Sequence, residues 1–374
     1  MPGPSRGDGA VSPSTEVIVA LGTSFARLES QGTRWRFVLR EWARDPRVTR
    51  LVAVDFPQMS PRHLVGAPLA TAGTSWLSGC ELVVPRVGVH QRTALGSSRA
   101  WRRTGHAIRE LLGAPRARRV AIAAAPLSVP LLPHLGADHL GFDAVDDWRA
   151  LPGVQHLRSH VDRGYASLSP ALSCSSVSAP LSATLHEEFG VDPVTVPNGV
   201  DLLAYQGIQP APEGLPSGSF AVYVGVVQER VDLDLLDAVQ AAGVPVVVAG
   251  PAPDAVAERL RHSGATVLGR IDVDLVPGLL QRAAVGLVPH VVDPLTRSMD
   301  PMKVLEYLAA GLRVVTTPVA RSVTTDRLVE ATGADFVAAV RAALDLPRPS
   351  DPDPAVLPRD WATVAGTLLE VHAP

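Results

Sequence analysis

The chain is nearly without lysine. Lysine and arginine together number 34 in 374 residues, and Lys303 is the one lysine, which leaves 33 arginines. A GC-rich genome produces such a bias through its codons, so composition accounts for the arginines and not for the exception. Cysteine is almost as scarce. Cys80 and Cys174 show neither the pairing of a disulfide framework nor the spacing of a metal site. That usage fits a reducing compartment and reads both as core residues. The net charge is −3, and this balance does not mark a nucleic-acid binder. No run of about 18 apolar residues is present, so no transmembrane helix is expected. The first residues, MPGPSRGDGAVSPST, lack the apolar core of a signal peptide and read as a disordered leader over 1–14. A cytoplasmic protein is the expectation.

What the chain has in quantity is hydrophobic residues, 46% of the total, and a regular rhythm. Short apolar runs alternate with helical stretches, the pattern of β-α units and parallel sheets. In the first half the strands read 16–22, 50–56, 119–126, 142–146, 175–180 and 193–197, with helices over 33–45, 98–112, 157–168 and 181–189. In the second half strands fall at 220–227, 244–250, 265–270, 285–290 and 313–319. Helices follow at 232–242, 253–262, 275–284, 301–310 and 334–344, and a last one begins at WATVAGTLLEVH. VPVVVAG (244–250) is apolar throughout, as a strand covered on both faces must be. QGIQPAPEGLPSGS has the Pro/Gly/Ser content of a linker. The division is therefore a first α/β domain over 15–200, a linker over 201–218 and a second α/β domain over 219–374. The expected fold is two Rossmann-like domains facing a central cleft, with ligands beyond the carboxyl ends of the strands.

The lysine falls in DPMKVLEYLAAG (300–311). Asp300 and Pro301 read as a helix start, with Asp as cap, and Gly311 reads as a stop. Lys303 and Glu306, three residues apart, share one face. The helix follows a strand end and a loop, so its N-terminal amides would attract an anion. A lysine one turn in adds a point charge for phosphate. A carboxylate one turn further can accept two hydrogen bonds from a vicinal diol. Together they describe a nucleotide-diphosphate site. The same spacing also reads as a surface ion pair worth about a few tenths of a kcal/mol.

PMKVLEYLAAGLRVVTTPV resembles the signature of retaining GT-B glycosyltransferases of family 4, especially the bacterial polysaccharide-biosynthesis branch. That pattern runs P-x-K-x-x-E-Y-x-A-x-G-x-x-V-V. VPNGVD (196–201), FAVYVGVVQERVDLDLL (220–236), VLGRIDVDLVPGLLQRAAVGLVPH (267–290) and DWATVAGTLLEV resemble further stretches of the family in the same order. The resemblance implies a nucleotide-diphosphate-sugar donor held by the second domain and a saccharide or lipid-linked acceptor held by the first. It puts Glu306 on the donor ribose and backbone amides of Ser298, Met299, Asp300 and Pro301 near the diphosphate. It also puts Gly225 and the Gly22 loop at the donor cleft. The family's first motif glutamate falls on Ser298, and its basic pair falls on Val226 and Val231. Arg230 is the nearest replacement and joins Lys303 as an electrostatic clamp on the leaving group. No metal or other cofactor is then expected. A nucleotide-sugar 2-epimerase on the same fold, or a non-catalytic relative, are the alternatives.

Other chemistry is thinner. The DLD (232–234), DVD (272–274) and DPD (351–353) triplets read as caps or solvated acids rather than metal ligands. FDAVDDW (142–148) places acids where an acceptor would dock. Asp146 or Asp147 could assist proton transfer, with Asp147 the catalytic candidate, or both could be loop residues. His290 ends a strand and faces either the donor or the core. Arginines at 92, 99, 102, 103, 109, 116, 118 and 119, with Trp101 interleaved, form either a basic face for an anionic membrane or a solvated surface.

Overall fold

A computed structural model describes residues 14–30, 32–56, 58–59, 70–72, 76–87 and 98–374. The leader, apart from Ser14, and Arg92 of the basic segment lie outside the described residues.

Two large sheets dominate. In spatial order the first runs Val194–Thr195, Ser173–Ser176, His139–Ala144, Arg118–Ala123, Thr15–Ala20, Val48–Val54, Cys80–Val84 and Ala70–Ala72. All of its pairings are parallel except the last. The second runs Thr266–Gly269, Val246–Ala249, Ala221–Val224, Val285–Val288, Arg313–Thr316 and Leu328–Glu330, all parallel. Side chains alternate across each strand. Val17 and Val19 therefore enter one core and Ile18 and Ala20 the other, while Val222 and Tyr223 divide the same way in the second sheet. Both faces of both sheets are covered, which is why the strands are apolar without interruption.

The chain crosses between the sheets twice, and the two crossings touch. Val200 N donates to Arg359 O at 2.8 Å, and Val200 pairs with Asp360. Gly199 makes this contact achievable, because a Cβ there would lie 2.8 Å from Arg359 O and 3.0 Å from the Trp361 ring.

The second crossing corrects the expected boundaries. The last helix, Trp361–His372, returns to the first domain instead of completing 219–374. The Trp361 ring stacks on Phe37 with centroids 4.9 Å apart, and Trp42 Nε1 donates to Ala365 O at 2.8 Å. His372 is buried between Ser173 and Ser175. An amphipathic helix states that it has a partner, not which one. The linker over 201–218 is not free either. Leu202, Tyr205 and Leu215 pack on the second core, and a Cβ on Gly278 would lie 1.9 Å from Pro210 O. Cys80–Val84 and Leu328–Glu330 are strands that the sequence reading passed over.

Candidate functional site

The strand Ala221–Val224 ends under the helix Met302–Ala309. Tyr307, fully buried, donates nothing to solvent; its hydroxyl accepts from Val224 N at 2.8 Å, and its ring occupies the space left by Gly286. The strand end is thereby fixed against the helix. At Gly225 the backbone turns to φ +137, and a Cβ would sit 3.1 Å from Lys303 Nζ. Beside it Gly250 has φ +141, and a Cβ there would lie 2.0 Å from Gly225 O. Only glycine takes these conformations at such separations, so two strand ends meet close to the lysine.

Lys303 does not form the surface ion pair. Among the described residues no ion pair joins it to Glu306. Its Nζ donates to Tyr223 Oη at 3.0 Å and lies 3.2 Å from His290 Nε2. It also stands 4.2 Å from the centroid of the Tyr223 ring. Burial and the nearby Arg230 charge hold the ammonium down to about 7, with Glu306 acting the other way. Burial, then Lys303 and Arg230, pushes His290 well below its ordinary value. A neutral His290 accepting at Nε2 carries its proton on Nδ1, an assignment made from the hydrogen-bond network. That Nδ1 is buried without a partner. Tyr223 Oη donates to Val226 O at 3.1 Å, and burial, opposed by the Arg230 charge, raises its pKa well above the usual phenol range, so the hydroxyl keeps its proton.

Arg230 stands at the rim of this cluster. Its carbonyl accepts from Val291 N at 2.8 Å, and its buried Nε has no hydrogen-bond partner. Its charge reaches across to the first domain, where it lowers Asp146 against a burial that pushes this acid up to about 6. Asp147, the acid singled out from the sequence, is occupied elsewhere. Its Oδ1 accepts from Arg149 N at 3.0 Å and from Arg149 Nε at 3.2 Å. Asp146 is therefore the acid of this turn that feels the cleft cations. Gly22 lies near the same turn, packed so closely that a Cβ would meet Ala125 Cβ at 2.2 Å and Trp148 at 3.0 Å.

Glu306 is partly exposed, one turn beyond Lys303. Its carboxylate has no hydrogen-bond partner among the described residues, and burial raises its pKa while Lys303 lowers it. It is free to accept from a ligand diol.

The loop ahead of the helix departs from expectation at Asp300. Its carboxylate does not cap the helix, whose N-cap position is Pro301 with no side-chain bond. Instead it accepts from Asn198 N at 2.8 Å and Ser322 N at 2.9 Å, so it is unavailable to a donor. Ser298 Oγ turns back to Leu295 O at 3.0 Å, and its carbonyl accepts from Ser178 Oγ. The side chains of Met299 and Pro301 are buried. Only backbone remains for a ligand. Ser298 N is taken by Leu295 O at 3.1 Å, whereas the Met299 and Asp300 amides have no acceptor among the described residues.

The acidic triplets hold caps. Asp232 accepts from Asp234 N and Leu235 N, Asp272 from Asp274 N, and Asp353 from Ala355 N. In the basic segment, Arg119 is buried and paired with Glu16, and Trp101 is buried. Neither belongs to an outer face. Arg99, Arg102, Arg103, His106 and Arg109 are exposed on the helix Ser98–Leu112.

Residues 221–345, which carry Gly225, Arg230, His290, Lys303 and Glu306, match the family model described as Glycosyl transferases group 1. This stretch is similar to a group 1 glycosyltransferase domain. No curated protein matches the chain. Three solved structures share the whole architecture of this chain. A UDP-forming trehalose-phosphate synthase from Burkholderia xenovorans, in complex with glucose-6-phosphate, is 11% identical over 96% of this chain and 100% of its own, with a TM-score of 0.66. The trehalose-6-phosphate structure from E. coli bound with UDP-2-fluoro glucose is 13% identical over 95% and 96%, TM-score 0.62. AviGT4, a glycosyltransferase of avilamycin A biosynthesis, is 15% identical over 96% and 97%, TM-score 0.56. At these identities the likeness carries the fold, which is GT-B.

The sequence reading missed Tyr223, an apolar strand position whose hydroxyl carries the lysine. It also missed Asn198, for which VPNGVD was the available signal.

Proposed function

We propose that the protein transfers a sugar from a nucleotide-diphosphate sugar to a saccharide or lipid-linked acceptor, with retention, in polysaccharide-type synthesis. The observation that carries this reading is Lys303, held by Tyr223 and His290 beside Gly225 and one turn before an unpartnered Glu306. The diphosphate lies against Lys303 Nζ, Arg230 and the Met299 and Asp300 amides. Its departure as an anion is stabilised by charges already in place, so little reorganisation is needed in the transition state. Glu306 accepts from both ribose hydroxyls. The clamp is built from basic side chains and amides, and the reaction proposed needs no metal. Asp146 faces the acceptor from the first domain. The neighbours solved with UDP-2-fluoro glucose and with glucose-6-phosphate support a sugar nucleotide on one side and a saccharide on the other.

Among the described residues no helix is long and apolar enough to cross a membrane. The exposed face of Arg99, Arg102, Arg103, His106 and Arg109 fits weak contact with anionic lipid at the inner face of a cytoplasmic membrane. Sedimentation with anionic vesicles, reduced by Arg102→Glu with Arg103→Glu, tests that contact.

The test of the function is incubation with UDP-, GDP-, ADP- and dTDP-glucose, with and without saccharide acceptors. Acceptor-dependent release of nucleotide diphosphate supports transfer. A changed sugar without acceptor makes the protein an epimerase. Binding without turnover for any acceptor makes it a non-catalytic relative.

A further inference from the structure

Asp300 is 6% exposed, and its two carboxylate oxygens are committed to different parts of the chain. Oδ2 accepts from Asn198 N at 2.8 Å, on the first crossing between the domains. Oδ1 accepts from Ser322 N at 2.9 Å. Ser322 O in turn accepts from Arg359 Nη2 at 2.9 Å, and Arg359 O accepts from Val200 N at 2.8 Å. The hydrogen bonds thus close a ring: the loop before the site helix, the first crossing, the second crossing and back. The ring is anchored on the first domain. Asn198 Nδ2 donates to Asp300 O at 2.8 Å, and Asn198 Oδ1 accepts from Arg34 Nη1 at 3.2 Å. Arg34 forms a buried two-point pair with Asp143 at 2.9 and 3.1 Å. Ser178 adds a second tie, to Ser298 O.

We propose that Asp300 is a positioning residue, through which the crossings between the two domains set the loop that opens the donor site. This deepens the reading above and rests on it. Any rotation of one domain on the other turns about the paired crossings at Asn198–Val200 and Arg359–Asp360. A closed ring cannot shear without losing hydrogen bonds, so the Ser298–Pro301 loop follows the crossings rather than its own sheet. The free amides of Met299 and Asp300 then meet the diphosphate only at the domain angle that closes the cleft. The device also suits Ser298: where the related glycosyltransferases are expected to carry a sugar-binding glutamate, this chain has a residue that ties the loop to the opposite domain.

Asp300→Asn keeps shape and removes one of the two acceptors, since either amide orientation turns an NH2 towards an N–H donor. Hydrogen–deuterium exchange is read segment by segment without nucleotide, and turnover and UDP affinity are read separately. Exchange at 298–304 and 198–201 should rise together by about tenfold or more, with Val285–Val288 unchanged. Turnover should fall about tenfold while UDP Kd moves by about threefold or less. Asn198→Ala, which spares the Asp300 carboxylate bonds, should raise exchange at 298–304 to a smaller extent, and it decides the matter if Asp300→Asn does not fold. Unchanged exchange at 298–304, or a rise spread through the whole second sheet, would overturn the proposal. A wild type that binds none of the four nucleotides would sink the donor-site reading, and the exchange measurement would still decide the coupling.

Discussion

Lys303→Met removes the ammonium and keeps most of the alkyl stem. In the wild type Nζ stands 3.0 Å from Tyr223 Oη and 3.2 Å from His290 Nε2, which leaves one of its three N–H groups for an anion. A lost charge-assisted hydrogen bond costs about 1.5–3 kcal/mol, so Kd for the preferred nucleotide diphosphate should rise roughly ten- to 150-fold. The pH dependence follows from the cause of the low basicity. Burial and Arg230 hold the free lysine at about 7, and a bound diphosphate favours the charged form and raises it. Below pH 7 the lysine is charged before and after binding, and this group adds no slope. Above it, binding takes up a proton, so affinity weakens with rising pH by up to about tenfold per unit until the raised value of the complex is passed. Folding stability has the opposite sign. The unfolded lysine holds its proton to about 10.4, so the unfolded state binds more protons from about 7 to 10.4 and stability from this group rises across that window. Calorimetry of UDP, GDP, ADP and dTDP at about pH 6.5 and about pH 8.5, in two buffers of different ionisation enthalpy, reads affinity and proton uptake together. A methionine variant with wild-type affinity and a wild-type pH profile would refute the reasoning.

Glu306→Gln should weaken nucleoside diphosphates and leave inorganic pyrophosphate within about twofold; an equal loss for both would remove the diol role. Gly225→Ala should reproduce the Lys303→Met loss, because the new Cβ meets Nζ at 3.1 Å, and the double variant should add little to either. Additive losses in that cycle would separate the two positions. Trp361→Ala should lower stability by about 3–5 kcal/mol, with the first domain unfolding earlier in urea; early loss of the second domain instead would contradict the placement of the last helix.

The elements of the second sheet were legible because parallel strands covered on both faces are continuous apolar runs, and the helices between them carry caps. Lys303 and Glu306 were legible as a pair because helix periodicity puts them on one face. The partners that define their chemistry were not. Tyr223 sits in an apolar strand, and nothing local says that its hydroxyl meets a residue 80 positions away. Asp300 misled because Asp-Pro before an apolar helix is a strong capping signal, yet two amides from distant loops compete better for its carboxylate. The Asp146 and Asp147 turn shows the same limit. Adjacent acids look alike in sequence, and only the position of Arg149 decides which one is left for the cleft.

The return of Trp361–His372 to the first sheet has a consequence for synthesis. The second domain is nested inside the first, so it can fold complete while the first still lacks a covering layer. Val38, Leu39 and Trp42 share a core with Trp361, Val364 and Leu368, and that surface stays open to solvent until the last helix leaves the ribosome. Folding of the first domain therefore ends only after the second is made, which reverses the usual order in which an N-terminal domain closes first. Exposed apolar surface of this kind is what chaperones bind and what aggregates, so expression of truncated chains should be limited by the first domain and not by the domain that carries the lysine.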